Sequence, residues 1–435
     1  MPPANQPLFT SDRHSSIHSE ERAAQEDDAL LENRQDNSDT PTPSNRSGFW
    51  REVALFTWAL LATAVVVLLA VLLQHRSAEG KPKNATGKRN LIFMVSDGMG
   101  PASLSLTRSF QQYQYDLPIG DVLVLDQYLI GSSRTRSNSS LITDSAAGAT
   151  AFSCSEKSYN GAISILPDYT PCGTVLEAAK RAGYMTGLVV TTAITDATPA
   201  CFASHVNIRS EEDLIAQQEV GQHPLGRVVD LMLGGGRCHF LPNTTRGSCR
   251  ADNLDVVKLA QEEHGWHYID NRQDFDDLQS GRSAVKLPVL GLFAGYNIPF
   301  EIDRRNENDM YPSLEEMTRT ALRALEEATR DSDKGFFLMV EGSRIDHAGH
   351  NNDPAAQVHE VLAYDKAFAS VVEFLRTNDV DGVLVATSGQ SFPTIFHYDV
   401  FSPAGFTDCP VDHETGGLVT ARRKCTSPLS SPTNN

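Results

Sequence analysis

Residues Leu91–Gly100 read LIFMVSDGMG. Five continuous apolar residues, Leu91–Val95, run into a Ser-Asp-Gly turn, which predicts a short strand buried on both faces. The same grammar returns downstream. Phe336–Val340 (FFLMV) is a second such strand, followed by Glu341 and then by GSRIDHAGH up to His350. Between the two, Thr174–Arg181 reads as a helix stopped by Gly183, and Met185–Thr191 as a strand. Val228–Leu233 is an apolar run ending at Gly234-Gly235-Gly236. Ser313 with Glu316 predicts a capping box ahead of a helix to about Arg330. Asp353-Pro354 opens a long helix to about Leu375, and Val383–Ala386 is another strand. Apolar runs alternating with amphipathic helices predict an α/β fold around a largely parallel sheet. Ligands of such sheets bind beyond the carboxyl ends of the strands, which is where this chain puts its acids.

Asp97 lies just past the first strand and Glu341 just past Phe336–Val340. Asp346, His347 and His350 follow, and Asp412-His413-Glu414 lies near the C-terminus. Carboxylates are hard oxygen ligands and His a borderline nitrogen ligand, the donor set of a mixed magnesium and zinc site. A single Asp after a strand is commonly a helix cap, and Asp346 with His350 has the spacing of a surface pair. Three such clusters together favour metal. Ser145, in LITDSAAGATA (Leu141–Ala151), precedes a small-residue run expected to be helical. It is either an ordinary N-cap or a nucleophile at a helix N-terminus facing an anion. No base is evident nearby, so a nucleophilic Ser145 needs a metal to lower its pKa.

The chain has 435 residues and a formal net charge of −18. Phosphate backbones are gripped by Lys and Arg, so this balance argues against nucleic acid as a partner. An anionic substrate gains nothing from long-range steering and must be held by a local cluster of cations. Among seven Cys there is no CxxC pair, which argues against thiolate metal sites. Cys154 with Cys172 and Cys238 with Cys249 are candidate disulfides, with buried free thiols as the alternative.

Met1 to Gly48 is polar and acidic, with nine acids against four Arg, and is expected to be a disordered cytosolic tail. Within it, EDDALL (Glu26–Leu31) resembles an acidic dileucine signal for a sorting adaptor. Val53–Leu73 is 21 residues without a charge, long enough to cross a bilayer as a signal anchor; residues 74–89 form a stalk. Arg46 and Arg51 before the span face Arg76, Lys81, Lys83 and Lys88 after it, and the positive-inside rule alone would put the C-terminal side in the cytosol. The candidate disulfides and the glycosylation sequons at Asn84 and Asn243 argue for a lumenal domain, and that is the expectation.

DGMG, TDSAAGATA, TDATPACFASHVNIR, FFLMVEGSRIDHAGH and DHETGG resemble, in order and spacing, the signature blocks of the alkaline phosphatase family. The anchor and acidic tail resemble the fungal vacuolar, type II membrane members. The resemblance implies a three-layer α/β/α fold over residues 90–423 and hydrolysis of a broad range of phosphomonoester substrates. It implies two Zn²⁺ and one Mg²⁺ per subunit and a homodimer when full length. Asp97 would bridge magnesium and one zinc, with Thr198 and Glu341 completing the magnesium ligands. Asp346 and His350 would hold one zinc; Asp412, with His413, would join Asp97 on the other. Ser145 would become a phosphoserine, then hydrolysed at the zinc. Arg209, oriented by Asp144, would clamp two phosphoryl oxygens, and Asp196 would orient the magnesium waters. A catalytically dead, membrane-tethered binding protein on the same fold is the competing reading, and a phosphodiesterase is the alternative within the enzymes.

The chain departs from the family pattern twice. The family runs from the strand through Thr-Ser into Asp-His-Glu, whereas here Gly389–Val411 separates Ser388 from Asp412. This non-family insertion of 23 residues has no clear period and is read as translated intron. After Arg423 the chain turns to a non-family tail, 424–435, where the family carries a further His ligand. The fold is therefore expected to be C-terminally incomplete in this chain and the zinc of Asp346 and His350 weakly held.

Overall fold

The computed structural model describes residues 53–65, 87–132, 135–280 and 286–389, with the backbone alone of 397–401. The chain divides into two units, Met1–Ala85 and Thr86–Asn435. In the first, residues 53–65 are helical, with Leu55, Phe56, Trp58, Leu60 and Leu61 exposed. Among the described residues no helix is long and apolar enough to cross a membrane. The rest of the expected span, the sorting signal at Glu26–Leu31, Asn84, Asp412 and His413 lie outside the described residues.

The second unit is built on one sheet of nine strands: β1 Arg89–Ser96, β2 Leu129–Gly131, β3 Met185–Ala193, β4 Leu231–Gly235, β5 His267–Ile269, β6 Val289–Leu292, β7 Phe336–Gly342, β8 Asp381–Ser388 and β9 His397–Phe401. Their order is β2-β9-β8-β1-β7-β3-β4-β6-β5. All pairings from β8 to β5 are parallel, and β9 runs antiparallel to both β8 and β2. The strand β9 falls inside 389–411, for which the sequence shows no strand period. Its place between β8 and the edge strand β2, paired on both sides, supplies in tertiary context what local alternation does not.

The uninterrupted apolar strands follow from burial on both faces. Along β7, Phe336, Leu338 and Val340 enter one core while Phe337 and Met339 enter the other. The first core is closed by helices α1 (Pro101–Gln114), α7 (Leu314–Ala328) and α9 (Pro354–Thr377), through Leu104, Met317, Leu325, Val361 and Phe368. The second is closed by α3 (Val175–Arg181), α4 (Ala197–Ala203), α5 (Glu212–Val220) and α6 (Val256–His264), through Leu176, Phe202, Val220 and Leu259. Helices on both faces of a mostly parallel sheet make the expected three-layer α/β/α architecture. The capping box read from Ser313 and Glu316 is formed, with Glu316 N–H donating to Ser313 Oγ at 3.2 Å and Ser313 N–H to Glu316 Oε2 at 2.8 Å.

Candidate active site

The parallel register brings the acids to one edge. Val95 pairs with Glu341 across β1 and β7, Ser96 pairs with Ser388 across β1 and β8, and Val190 pairs with Glu341 across β3 and β7. Asp97 is therefore the first residue beyond β1 at the place where Glu341 ends its neighbour. Helix α2, Ser145–Cys154, points its first turn at this edge, and Ser145 Oγ donates to Asp97 Oδ2 at 2.8 Å. The helix is capped by Asp144, whose Oδ1 accepts from Ala147 N–H at 2.9 Å. Ser145 is thus the first helical residue and not the N-cap, which leaves its hydroxyl for the site. The small residues of the SAAGATA run have a packing reason. Ala146 and Ala149 share a cluster with Ala197, Ala200 and Cys201 of α4, closed by Ile163, Val206 and Ile215.

Arg209 reaches the same place along a different route. Its Nη2 donates to Asp196 Oδ1 at 2.9 Å, while its Nη1 stands 3.7 Å from Asp144 Oδ2. Asp196, and less closely Asp144, therefore orients the guanidinium, a pairing that sequence alone assigned to Asp144. The Arg209 backbone is held too: its N–H donates to Gly161 O at 2.8 Å, and Gly161 N–H donates to Asp144 Oδ2 at 2.9 Å. Further support comes from His205, which reaches Ser164 O through Nδ1 at 2.9 Å and Glu177 Oε1 through Nε2 at 2.8 Å. Burial pushes the His205 pKa down, but the Glu177 carboxylate and the Ser164 carbonyl hold it above its ordinary value. This buried pair ties the loop that carries Arg209 to α3. Glu177 and His223 complete a group close enough to hold an ion, but His205 and Glu177 bond each other directly.

A family model for alkaline phosphatase matches residues 88–411. The chain belongs to the alkaline phosphatase family. It is 53% identical over 391 residues to the repressible alkaline phosphatase of Saccharomyces cerevisiae, a match that covers 86% of this chain and 63% of the yeast protein. The chain thus spans less than two thirds of that relative's length. Among solved structures, the alkaline phosphatase of Thermus thermophilus shares 33% identity at a TM-score of 0.60, covering 70% of this chain and 60% of that one. A mutant of the alkaline phosphatase from the Antarctic bacterium TAB5, solved with magnesium bound, shares 26% identity at a TM-score of 0.56, covering 72% of this chain and 91% of that one. The family match takes in 389–411, the stretch read from sequence as foreign to the family.

The oxygens at the edge fit a hard cation. Glu341 is 2% exposed, and both burial and the Asp97 carboxylate push its pKa well above the usual range. The Ser343 hydroxyl, which donates to Glu341 Oε2 at 2.5 Å, and the buried Thr198 hydroxyl pull the other way. Two buried carboxylates on adjacent strands want a positive charge between them. Asp346 and His350 are the second donor set, on helix α8 (Arg344–His350), with His350 Nε2 3.3 Å from Asp346 Oδ2. His347, to which the sequence assigns no role, points its Nε2 to within 3.8 Å of Asp196 Oδ2.

Beyond β8, Gly389 N–H donates to Ser96 O at 3.2 Å, and a Cβ on Gly389 would lie 2.3 Å from Asp97 Oδ1. The first residue after Ser388 thus faces the Asp97 carboxylate, and here it has no side chain. The disulfide candidates are joined as Cys154–Cys172 and Cys238–Cys249, and Asn243 is exposed.

Gly98 is the tightest backbone position of the site. Its φ is +71°, and a Cβ there would lie 2.3 Å from Asp346 Cα. Substituting Gly98→Ala is expected to lower thermal stability by about 1–3 kcal/mol, since both the left-handed conformation and the contact with α8 oppose it. A melting temperature equal to the parent's would show that α8 does not press on this turn.

Proposed function

We propose that this chain hydrolyses phosphomonoesters through a phosphoserine on Ser145, assisted by two zinc ions and one magnesium ion. The observation that carries the reading is the Ser145 hydroxyl, 2.8 Å from Asp97 at the start of a helix, beside a guanidinium aligned by Asp196. The N–H groups of the first turn of α2 face an incoming anion. Arg209 offers the remainder of its planar fork to two phosphoryl oxygens. Ser145 Oγ attacks phosphorus, forming the serine O–P bond as the ester P–O bond breaks. The alcohol leaves with the proton that the serine gave up. Water then displaces the serine from phosphorus, returning its hydroxyl and releasing phosphate.

Asp97, Thr198 and Glu341 would hold magnesium, Asp346 and His350 one zinc, and Asp97 with Asp412 and His413 the other. When bound, these cations supply charge for the phosphoryl oxygens and lower the pKa of the attacking hydroxyl. The bound magnesium in the TAB5 relative supports the hard-oxygen part of this assignment. Ser145→Ala is expected to abolish phosphoserine trapping and to cut p-nitrophenyl phosphate turnover by orders of magnitude; undiminished turnover would sink the nucleophile.

We further read Gly389–Val411 as translated intron: joining Ser388 to Asp412 would run β8 straight into Asp412-His413-Glu414, at a position that needs Asp97 to move aside. A chain joining Ser388 directly to Asp412 puts a carboxylate at that position. It is expected to hold more zinc and to turn over substrate faster than the chain with 389–411, and no gain in either would reject the idea.

For residues 53–73 we keep the reading of a signal anchor in the vacuolar membrane, with the catalytic domain lumenal, the Glu26–Leu31 signal facing a cytosolic adaptor, and the full-length protein a homodimer. Endoglycosidase should then shift the protein's mobility through Asn84 and Asn243. No shift, together with protease sensitivity of the domain in intact vesicles, would reverse the topology.

A further inference from the structure

We propose that the exposed Ile142, Ile208 and Tyr169, with the half-buried Tyr159, on the loops next to Asp144 and Arg209, form a subsite for an apolar or aromatic leaving group. The inference rests on the phosphomonoesterase reading and names the class of ester that site prefers.

Ile142 and Ile208 lie next to the groups that would grip the phosphoryl group, and the two tyrosines join them through the backbone of Asn207. Ile142 stands three residues before Ser145, and its carbonyl accepts from Asn160 Nδ2 at 3.0 Å. Asn160 adjoins Gly161, which is bonded to Asp144 on one side and to Arg209 on the other. Ile208 directly precedes Arg209, and its Cγ1 lies 3.6 Å from the Cβ position of Gly161. Tyr159 donates its hydroxyl to Asn207 O at 2.9 Å, and its ring stands 5.8 Å from that of Tyr169. One hydrogen-bonded loop cluster therefore carries both the polar clamp and the apolar border.

Despite this ordering, the apolar groups stay in water. Ile142 is 68% exposed, Ile208 50% and Tyr169 69%. Single exposed hydrophobics are unremarkable, but several on loops bonded to one polar clamp are candidates for a binding surface. Tyr169 has φ +64°, a left-handed conformation that a bulky side chain adopts at a cost and that here presents its ring outward. Charge points the same way. With a net charge of −18, the protein offers an anionic ester no long-range attraction. Affinity beyond the phosphoryl group must then come from contact with the rest of the ester. A ligand held by Arg209 would bring that remainder near Ile142 and Ile208.

Binding of non-hydrolysable phosphonates tests this without relying on turnover. Naphthylphosphonate and methylphosphonate are titrated into the full chain supplied with zinc and magnesium. An apolar contact of about 60 Å² at ~25 cal/mol per Å² corresponds to roughly tenfold tighter binding of the naphthyl compound. The double variant Ile142→Ser, Ile208→Ser is expected to shrink that preference to about twofold or less. Tyr169→Ala, at a site more exposed still, should reduce it independently if the double variant melts early. Equal affinity for the two phosphonates in the parent chain, failure of the naphthyl compound to bind, or a preference untouched by all these variants would overturn the proposal. Parallel assay of p-nitrophenyl phosphate separates the two ideas: a chain that prefers naphthylphosphonate yet hydrolyses nothing sinks the phosphatase reading and leaves the subsite standing.

Discussion

Two carboxylates buried side by side are the constraint around which the rest is arranged. Asp97 and Glu341 end adjacent parallel strands, and burial together with their mutual repulsion opposes charge on Glu341. A fold keeps such a pair only where hydroxyls and cations relieve it. Ser145, Ser343 and Thr198 supply the hydroxyls. The donor chemistry of the same edge fits a cation that would complete that relief.

The parallel sheet makes that pair possible. Parallel strands all deliver their carboxyl ends to one edge, so residues 48 and 244 positions beyond Asp97 in the chain, Ser145 and Glu341, meet it there. The cost of a parallel sheet is burial on both faces, which is why Leu91–Val95 of β1 and Phe336–Val340 of β7 are unbroken apolar runs. Their alternation survives only as a choice between two cores, Phe336, Leu338 and Val340 on one side and Phe337 and Met339 on the other.

Around the polar centre, rigidity comes from backbone contacts. Gly98 has no room for a side chain against Asp346, and Gly161 links Asp144 to Arg209 through its own N–H and C=O. The buried His205–Glu177 pair anchors the same loop from behind. Such a site can hold its ligand groups steady while leaving the surrounding apolar residues free to meet the ester.

The sequence by itself determined the fold class, the family and the residues of the polar centre. Continuous apolar runs, a capping box and short blocks such as TDSAAGATA act locally, and local signals survive without knowledge of the fold. Only the tertiary structure decided which groups face one another. Arg209 pairs most closely with Asp196 and more distantly with Asp144, because a loop bonded to Gly161 turns the guanidinium toward the start of α4. His347 approaches Asp196, and residues 397–401 become a strand between β2 and β8, for the same kind of reason. The apolar border of the site was invisible for want of any period. Its residues come from three loops, and only long-range backbone bonds gather them. Periodicity records what a segment does along its own axis, whereas such contacts depend on where the sheet sends each chain end.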